Sequence, residues 1–135
     1  MTYKIIDIEG IGPVYGEKLT AVGITTVDQL LAKGATPKGR QELEAATGID
    51  HARILTWVNH ADLFRVKGIG PQFSELLEAA GVDTVKELRN RNAKNLAEKL
   101  VEVNEAKKLV RRVPVEAEVA RFIELAKALD PVVSY

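Results

Sequence analysis

Val66-Lys67-Gly68-Ile69-Gly70-Pro71-Gln72-Phe73, followed by Gly81-Val82-Asp83-Thr84-Val85-Lys86-Glu87-Leu88, decides the fold because the chain carries this pattern twice. A shift of 58 places lays residues 8–33 on residues 66–91, with 11 of the 26 pairs identical. The identities are Gly-Ile-Gly-Pro at 10–13 and 68–71, Glu17/Glu75, Leu19/Leu77, Ala21/Ala79, Gly23/Gly81, Thr26/Thr84, Val27/Val85 and Leu30/Leu88. They fall at positions with backbone or packing roles, which marks one supersecondary unit in two copies.

Each shared residue has a physical task. Two glycines around one aliphatic residue permit a tight turn and leave its amides uncovered. Proline then opens a helix at its first position, where a missing N–H costs nothing. Tyr15, Leu19 and Val22 fall on one helical face, as do Phe73, Leu77 and Ala80. Gly23 and Gly81 sit where a left-handed C-cap belongs, with Ile24 and Val82 as the apolar contact beyond. Thr26 with Gln29, and Thr84 with Glu87, have capping-box spacing for a further helix.

The remaining sequence is helical by the same rules. Thr36-Pro37 predicts an N-cap and first-turn proline for a helix ending at Gly48, and Asp50 caps a longer one carrying Ile54, Leu55, Val58 and Ala61. Leu96, Leu100 and Val103 mark another. Asn104 is expected to start a separate helix reaching Val113-Pro114, and Val119, Phe122, Ile123, Ala126 and Leu129 mark a last one before Pro131. Trp57 and Phe122 match at an offset of 65, so the second unit holds about seven extra residues. No strand and no disordered linker is expected. The fold class is all-α: two repeats, about 5–64 and 65–131, packed into one pseudo-symmetric domain over residues 1–135.

Composition narrows the function. The chain has no cysteine, which excludes disulfides and thiolate metal sites. No apolar run approaches a membrane span, and the start (Met1, Thr2, Tyr3, Lys4) lacks a signal-peptide layout, so a cytoplasmic protein without a membrane partner is expected. His51 and His60 have no ligand-type partner at helical spacing and are expected at the surface of their helix, so no metal or cofactor is expected. The glycine runs are too short for a phosphate-binding loop of the Walker type. Glu42/Glu44 and Glu116/Glu118 read as helix-surface charges, and Ser74 and Ser134 lack a nucleophile setting. An enzyme is not expected.

Net charge is zero and the pI about 6.7, unlike a dedicated nucleic-acid coat protein. Residues 86–112 nevertheless hold nine basic side chains against four acidic ones, leaving the rest of the chain at −5. Such a stretch makes either a local positive patch or a pair of well-solvated helices.

The second turn, with Gly81-Val82-Asp83-Thr84-Val85 and Leu88 after it, resembles the helix-hairpin-helix motif of repair DNA polymerases and ligases. From Ile5 to Tyr135 the chain resembles a bacterial family of tandem helix-hairpin-helix (SAM-like) proteins classed as a domain of unknown function. Ala35-Thr36-Pro37-Lys38-Gly39-Arg40, Trp57-Val58-Asn59, Ala61-Asp62-Leu63 and Glu102-Val103-Asn104-Glu105 carry that resemblance. It implies binding of nucleic-acid backbone without sequence specificity, since bare turn amides beside a helix N-terminus favour phosphate.

By position, the implied donors are the amides of Gly68, Gly70, Gln72 and Phe73, with Lys67 and Arg65 beside them. Weaker candidates are Gly10, Gly12, Val14 and Tyr15 in the first copy, and Lys107, Lys108, Arg111 and Arg112 in the basic stretch. A monovalent cation on the carbonyls of Phe64, Val66 and Ile69 is a further implication of the resemblance.

The copies are not equal. Glu9 stands where the second copy has Lys67, and a carboxylate repels phosphate. Only Met1–Ile6 precede the first turn, too few for a full leading helix. The first turn is therefore expected to be architectural and the second to bind. Aromatic residues are scarce and lie on apolar faces, which favours duplex over stacked single strands. The competing expectation is a protein-interaction or scaffold module whose turns are purely structural.

Overall fold

The computed structural model describes Tyr3–Tyr135; Met1 and Thr2, part of the short lead before the first turn, lie outside the described residues. Among the described residues the chain is all-helical. A 3₁₀ turn (Ile5–Asp7) precedes α1 (Pro13–Ala21), α2 (Val27–Gly34), α3 (Pro37–Thr47), α4 (His51–Leu63), α5 (Pro71–Ala79), α6 (Val85–Leu88), α7 (Ala93–Lys107) and α8 (Glu116–Lys127). The described residues form no strand, only an isolated bridge between Lys4 and Thr26.

The chain gathers into two compact units. One runs to Asp62 and takes in Val132–Tyr135; the other is Leu63–Pro131. Their turns are hydrogen-bonded alike at the 58-residue offset. Ile8 N–H donates to Ile5 O and Ile11 N–H to Ile8 O, as Val66 does to Leu63 and Ile69 to Val66. After α1, Gly23 N–H donates to Thr20 O and Ile24 N–H to Leu19 O; after α5, Gly81 donates to Glu78 and Val82 to Leu77. Ile8, Ile11, Leu19, Ile24, Val27 and Leu30 are buried, and so is every counterpart from Val66 to Leu88. Equal spacing of apolar residues thus gives equal local backbone in both copies.

Helix ends follow the expected chemistry with two corrections. Thr26 Oγ1 accepts from Gln29 N–H at 3.2 Å and Gln29 Oε1 accepts from Thr26 N–H at 3.2 Å, a closed capping box. Thr84 Oγ1 accepts from Glu87 N–H at 3.3 Å, but the Glu87 carboxylate turns to Arg91 Nε at 3.2 Å. The second box is half made, because an arginine one helical turn ahead competes for the carboxylate. The second correction concerns Asn104, which starts no helix. It lies inside α7, and its amide grips Val110 from both sides, Nδ2 to O at 3.0 Å and N–H to Oδ1 at 2.9 Å. Lys108 takes a left-handed C-cap conformation (φ 53°) and the chain from 108 to 115 is irregular.

The first unit is closed by the end of the chain. Arg40 in α3 is 1% exposed. Its guanidinium donates to Gly34 O at 2.7 Å and to Ser134 O at 2.5 Å. Ser134 N–H donates to Ala35 O at 2.8 Å, and Tyr135 Oη to Asn59 Oδ1 at 3.2 Å. Burial lowers the Arg40 pKa, opposed by the Tyr135 phenol. Arg40 Nε has no hydrogen-bond partner among the described residues, so the two carbonyls of Gly34 and Ser134 carry the compensation of a buried guanidinium.

Deleting residues 132–135 removes one of the two carbonyls that Arg40 uses. The expected loss is about 1–3 kcal/mol, the usual cost of stranding a buried donor. Hydrogen exchange of α2 and α3 amides measures it, and unchanged protection after the deletion would contradict the clasp.

Candidate nucleic-acid interface

Both turns depend on a backbone region closed to most side chains. Gly10 has φ 95° and Gly68 φ 98°. A methyl group on Gly68 would also come within 2.9 Å of Phe122 Cε1, and one on Gly10 within 3.4 Å of Trp57 Nε1. The two aromatic residues matched at offset 65 therefore back the same position of each turn. Ring contacts repeat as well: Tyr15 meets Trp57 edge-on at 5.2 Å between centroids, and Phe73 meets Phe122 at 6.2 Å.

After each turn the helix begins with Gly at the N-cap and Pro at the first position. The first amides used inside the helices are Gly16, bonded to Gly12 O, and Ser74, bonded to Gly70 O, each at 2.9 Å. The N–H groups of Gly68, Gly70, Gln72 and Phe73 have no acceptor among the described residues, nor do those of Gly10, Gly12, Val14 and Tyr15. Four bare donors gather at the positive end of a helix dipole in each copy. Gln72 and Val14 are exposed; Gly70, Phe73, Gly12 and Tyr15 are half-buried.

Charge separates the two. Lys67 is exposed and makes no ion pair among the described residues, while Glu9 is exposed at the matching place. The first unit has six Lys and Arg against eight Asp and Glu; the second has thirteen against eleven. Arg65, expected beside Lys67, is half-buried and already engaged. The carbonyl of Val66 accepts from Ile69 N–H at 3.0 Å, so one of the three implied cation ligands is already in use within the turn.

A feature of both turns escapes local sequence rules. The guanidinium of Arg112 lies 5.7 Å from the Phe73 ring centroid, and that of Arg53 lies 5.5 Å from Tyr15. Each arginine is held by a carboxylate, Arg112 by Glu118 and Arg53 by Asp50. Arg53 had no place in the expected site, because it follows Tyr15 by 38 positions and only tertiary packing joins them. Arg112 bonds Glu118 Oε1 at 2.5 Å and Oε2 at 3.0 Å, a bidentate pair. That contact, then the Val115 N–H, holds the Glu118 carboxyl down to about 2, and Glu118 raises Arg112 in turn. In the first unit the Arg53 side chain lowers Asp50.

The basic stretch is divided by the fold. Arg89 donates to Lys127 O at 3.2 Å, and Arg91 to Gly81 O at 3.1 Å as well as to Glu87. Lys107 lines a small groove with Glu75, Glu78 and Leu109. Lys86, Lys94, Lys108 and Arg111 are exposed without an ion pair among the described residues. Of the two histidines, His51 is half-buried and His60 is 2% exposed, which corrects the expectation of surface residues. His60 falls on the face of α4 that also buries Trp57 and Ala61. Among the described residues no group of three His, Asp or Glu is placed to hold a metal ion, and no helix is long and apolar enough to cross a membrane.

Residues 9–129 match the model of a family described as Domain of unknown function (DUF4332). The chain belongs to this family. The matched span contains both turns, the Arg53 and Arg112 contacts and the whole basic stretch. It leaves out the closing residues 132–135. Neither the curated proteins nor the solved structures returned a match.

The Glu118 contact predicts a pH dependence. A carboxyl depressed from 4.5 to about 2 contributes stability that is present above 4.5 and lost as pH falls towards 2. Titration of the Glu118 side chain by NMR is expected to give a midpoint near 2 in the wild type. With Arg112→Gln the midpoint is expected to return towards 4.5. A wild-type midpoint near 4.5 would contradict the bidentate pair.

Proposed function

We propose that the chain is a tandem helix-hairpin-helix protein that binds the backbone of duplex nucleic acid without sequence preference and carries out no catalysis. The observation that carries this reading is the set of acceptor-free amides at Gly68, Gly70, Gln72 and Phe73, beside the exposed cation Lys67. Bare amides at a helix start form an anion site, and one cation next to them sets its sign. Backbone contact of this kind ignores base identity.

The second hairpin is the binding one in this proposal. Lys108 and Arg111, in the irregular segment after α7, supply further positive charge within the same unit. The first hairpin, with Glu9 at the matching position, serves the architecture of its own unit. Gly10, Gly12, Val14 and Tyr15 offer the same donors there, but the local field is wrong for phosphate. The alternative, that both hairpins are structural and the protein is a scaffold, predicts no dependence of any nucleic-acid affinity on Lys67.

Fluorescence anisotropy with a labelled duplex of arbitrary sequence tests the proposal. The dissociation constant is expected at about 10⁻⁴ to 10⁻⁶ M at physiological salt, rising steeply with salt. Lys67→Glu removes a cation and adds an anion at an exposed turn position, so at fixed low salt it is expected to weaken binding by about tenfold or more. Glu9→Lys is expected to be neutral or slightly strengthening. Equal affinity of wild type and Lys67→Glu would exclude the second hairpin. Absence of binding at low salt would leave the scaffold alternative.

A further inference from the structure

A buried charge is ordinarily held by an opposite one. The Arg40 guanidinium is buried in the first unit without an ion pair among the described residues, and its hydrogen-bond acceptors are two backbone carbonyls. Its donors lie in one plane, and Nε with Nη2 forms an edge of two parallel N–H groups. Nη2 donates to Ser134 O at 2.5 Å, while Nε meets no acceptor. A carbonyl brings one oxygen to an edge that a carboxylate serves with two.

The cover over this guanidinium is a strap of residues 132–135, and none of its side chains is buried. Val133 is half-buried; Val132, Ser134 and Tyr135 are exposed. The strap is held through polar contacts. Ser134 N–H donates to Ala35 O at 2.8 Å and Ser134 Oγ to the same carbonyl at 3.3 Å. The Tyr135 ring lies 5.8 Å from the Arg40 guanidinium carbon, with its hydroxyl on Asn59. Such bonds exchange with water at small net cost, and segments without buried apolar side chains open most easily. The seat of Ser134 also shows what fits: one residue is gripped at both its N–H and its carbonyl, by Ala35 O and by Arg40.

We propose that the site under the strap binds a peptide carboxylate of another protein, the carboxyl end of a chain whose last residue takes the place of Ser134. The N–H of that residue keeps the bond to Ala35 O. Its two carboxylate oxygens serve Nη2 and Nε together and supply the counter-charge that Arg40 lacks. Residues 132–135 compete for the site and are displaced from it. This binding is independent of the hairpin amides and of nucleic acid.

Two peptides test it on the isotope-labelled full chain: acetyl-Val-Val-Ser with a free carboxylate, matching residues 132–134, and the same peptide as its amide. The carboxylate form is expected to shift the Arg40 Nε–H signal downfield and to move the amide signals of Ser134 and Tyr135 to those of a free tail. The amide form is expected to bind about tenfold more weakly, because a charge-assisted bidentate pair gives way to a single neutral contact. Ser134→Pro removes the N–H that anchors the strap and is expected to tighten the carboxylate peptide several-fold. Equal binding of the two peptides would overturn the proposal, as would an Arg40 Nε–H signal that moves with neither, or unchanged affinity in Ser134→Pro. The same shift with acetate at equal concentration would overturn the peptide assignment in favour of a small carboxylate.

Discussion

A glycine held at positive φ against the edge of an aromatic ring is the constraint on which each unit depends. At Gly68 the ring is Phe122, at Gly10 it is Trp57, and in both places the turn bends sharply enough to start a helix immediately with proline. Bending there has two consequences. The aliphatic residues on either side, Val66 and Ile69 or Ile8 and Ile11, are driven into the core. The amides between and beyond them are turned out of the internal hydrogen-bond network. Core burial and bare donors therefore arise from one backbone event, since the turn that buries the aliphatics also strands the donors. Leaving donors bare is tolerable only where water or an anion reaches them.

The chain carries two copies of this device, and they differ in charge and in the length of the elements around them. Lys67 against Glu9 sets the sign of the field at the bare amides. The longer α7 and the 108–115 segment place Leu109 on the core of the second unit and Arg112 over Phe73. Arg53 reproduces the arginine-on-aromatic contact in the first unit from a helix rather than from a loop. The same contact has thus been reached along two routes of the chain.

Local rules carried most of the fold. Glycine at positive φ, proline at the first helical position and threonine at the N-cap each act within four residues, so their meaning survives without tertiary information. Failures came where a residue type serves two ends of a helix or where the partner is distant in sequence. Asn104 has the chemistry of an N-cap, yet it closes the C-terminal turn of α7 on Val110. Arg40 and Ser134 are 94 positions apart, and nothing local marks a fully buried arginine. His60 looks like a surface histidine in isolation and becomes a buried one only by its face on α4. For the candidate site, the bareness of the turn amides was legible from the glycine spacing, whereas the choice of Lys67 rests on the resemblance to helix-hairpin-helix turns. The pairing of Arg112 with Glu118, and the whole role of Arg53, required the fold.

The central claim is that phosphate is bound by the amides of the second hairpin. Two-dimensional NMR of the labelled chain with a short duplex of arbitrary sequence at low salt tests it most directly. The account predicts that the largest shifts fall on the amides of Gly68, Gly70, Gln72 and Phe73, fading as salt is raised, while the amides of Gly10, Gly12, Val14 and Tyr15 stay in place. Shifts confined to Lys108 and Arg111, or no shift at any concentration of duplex, would contradict it.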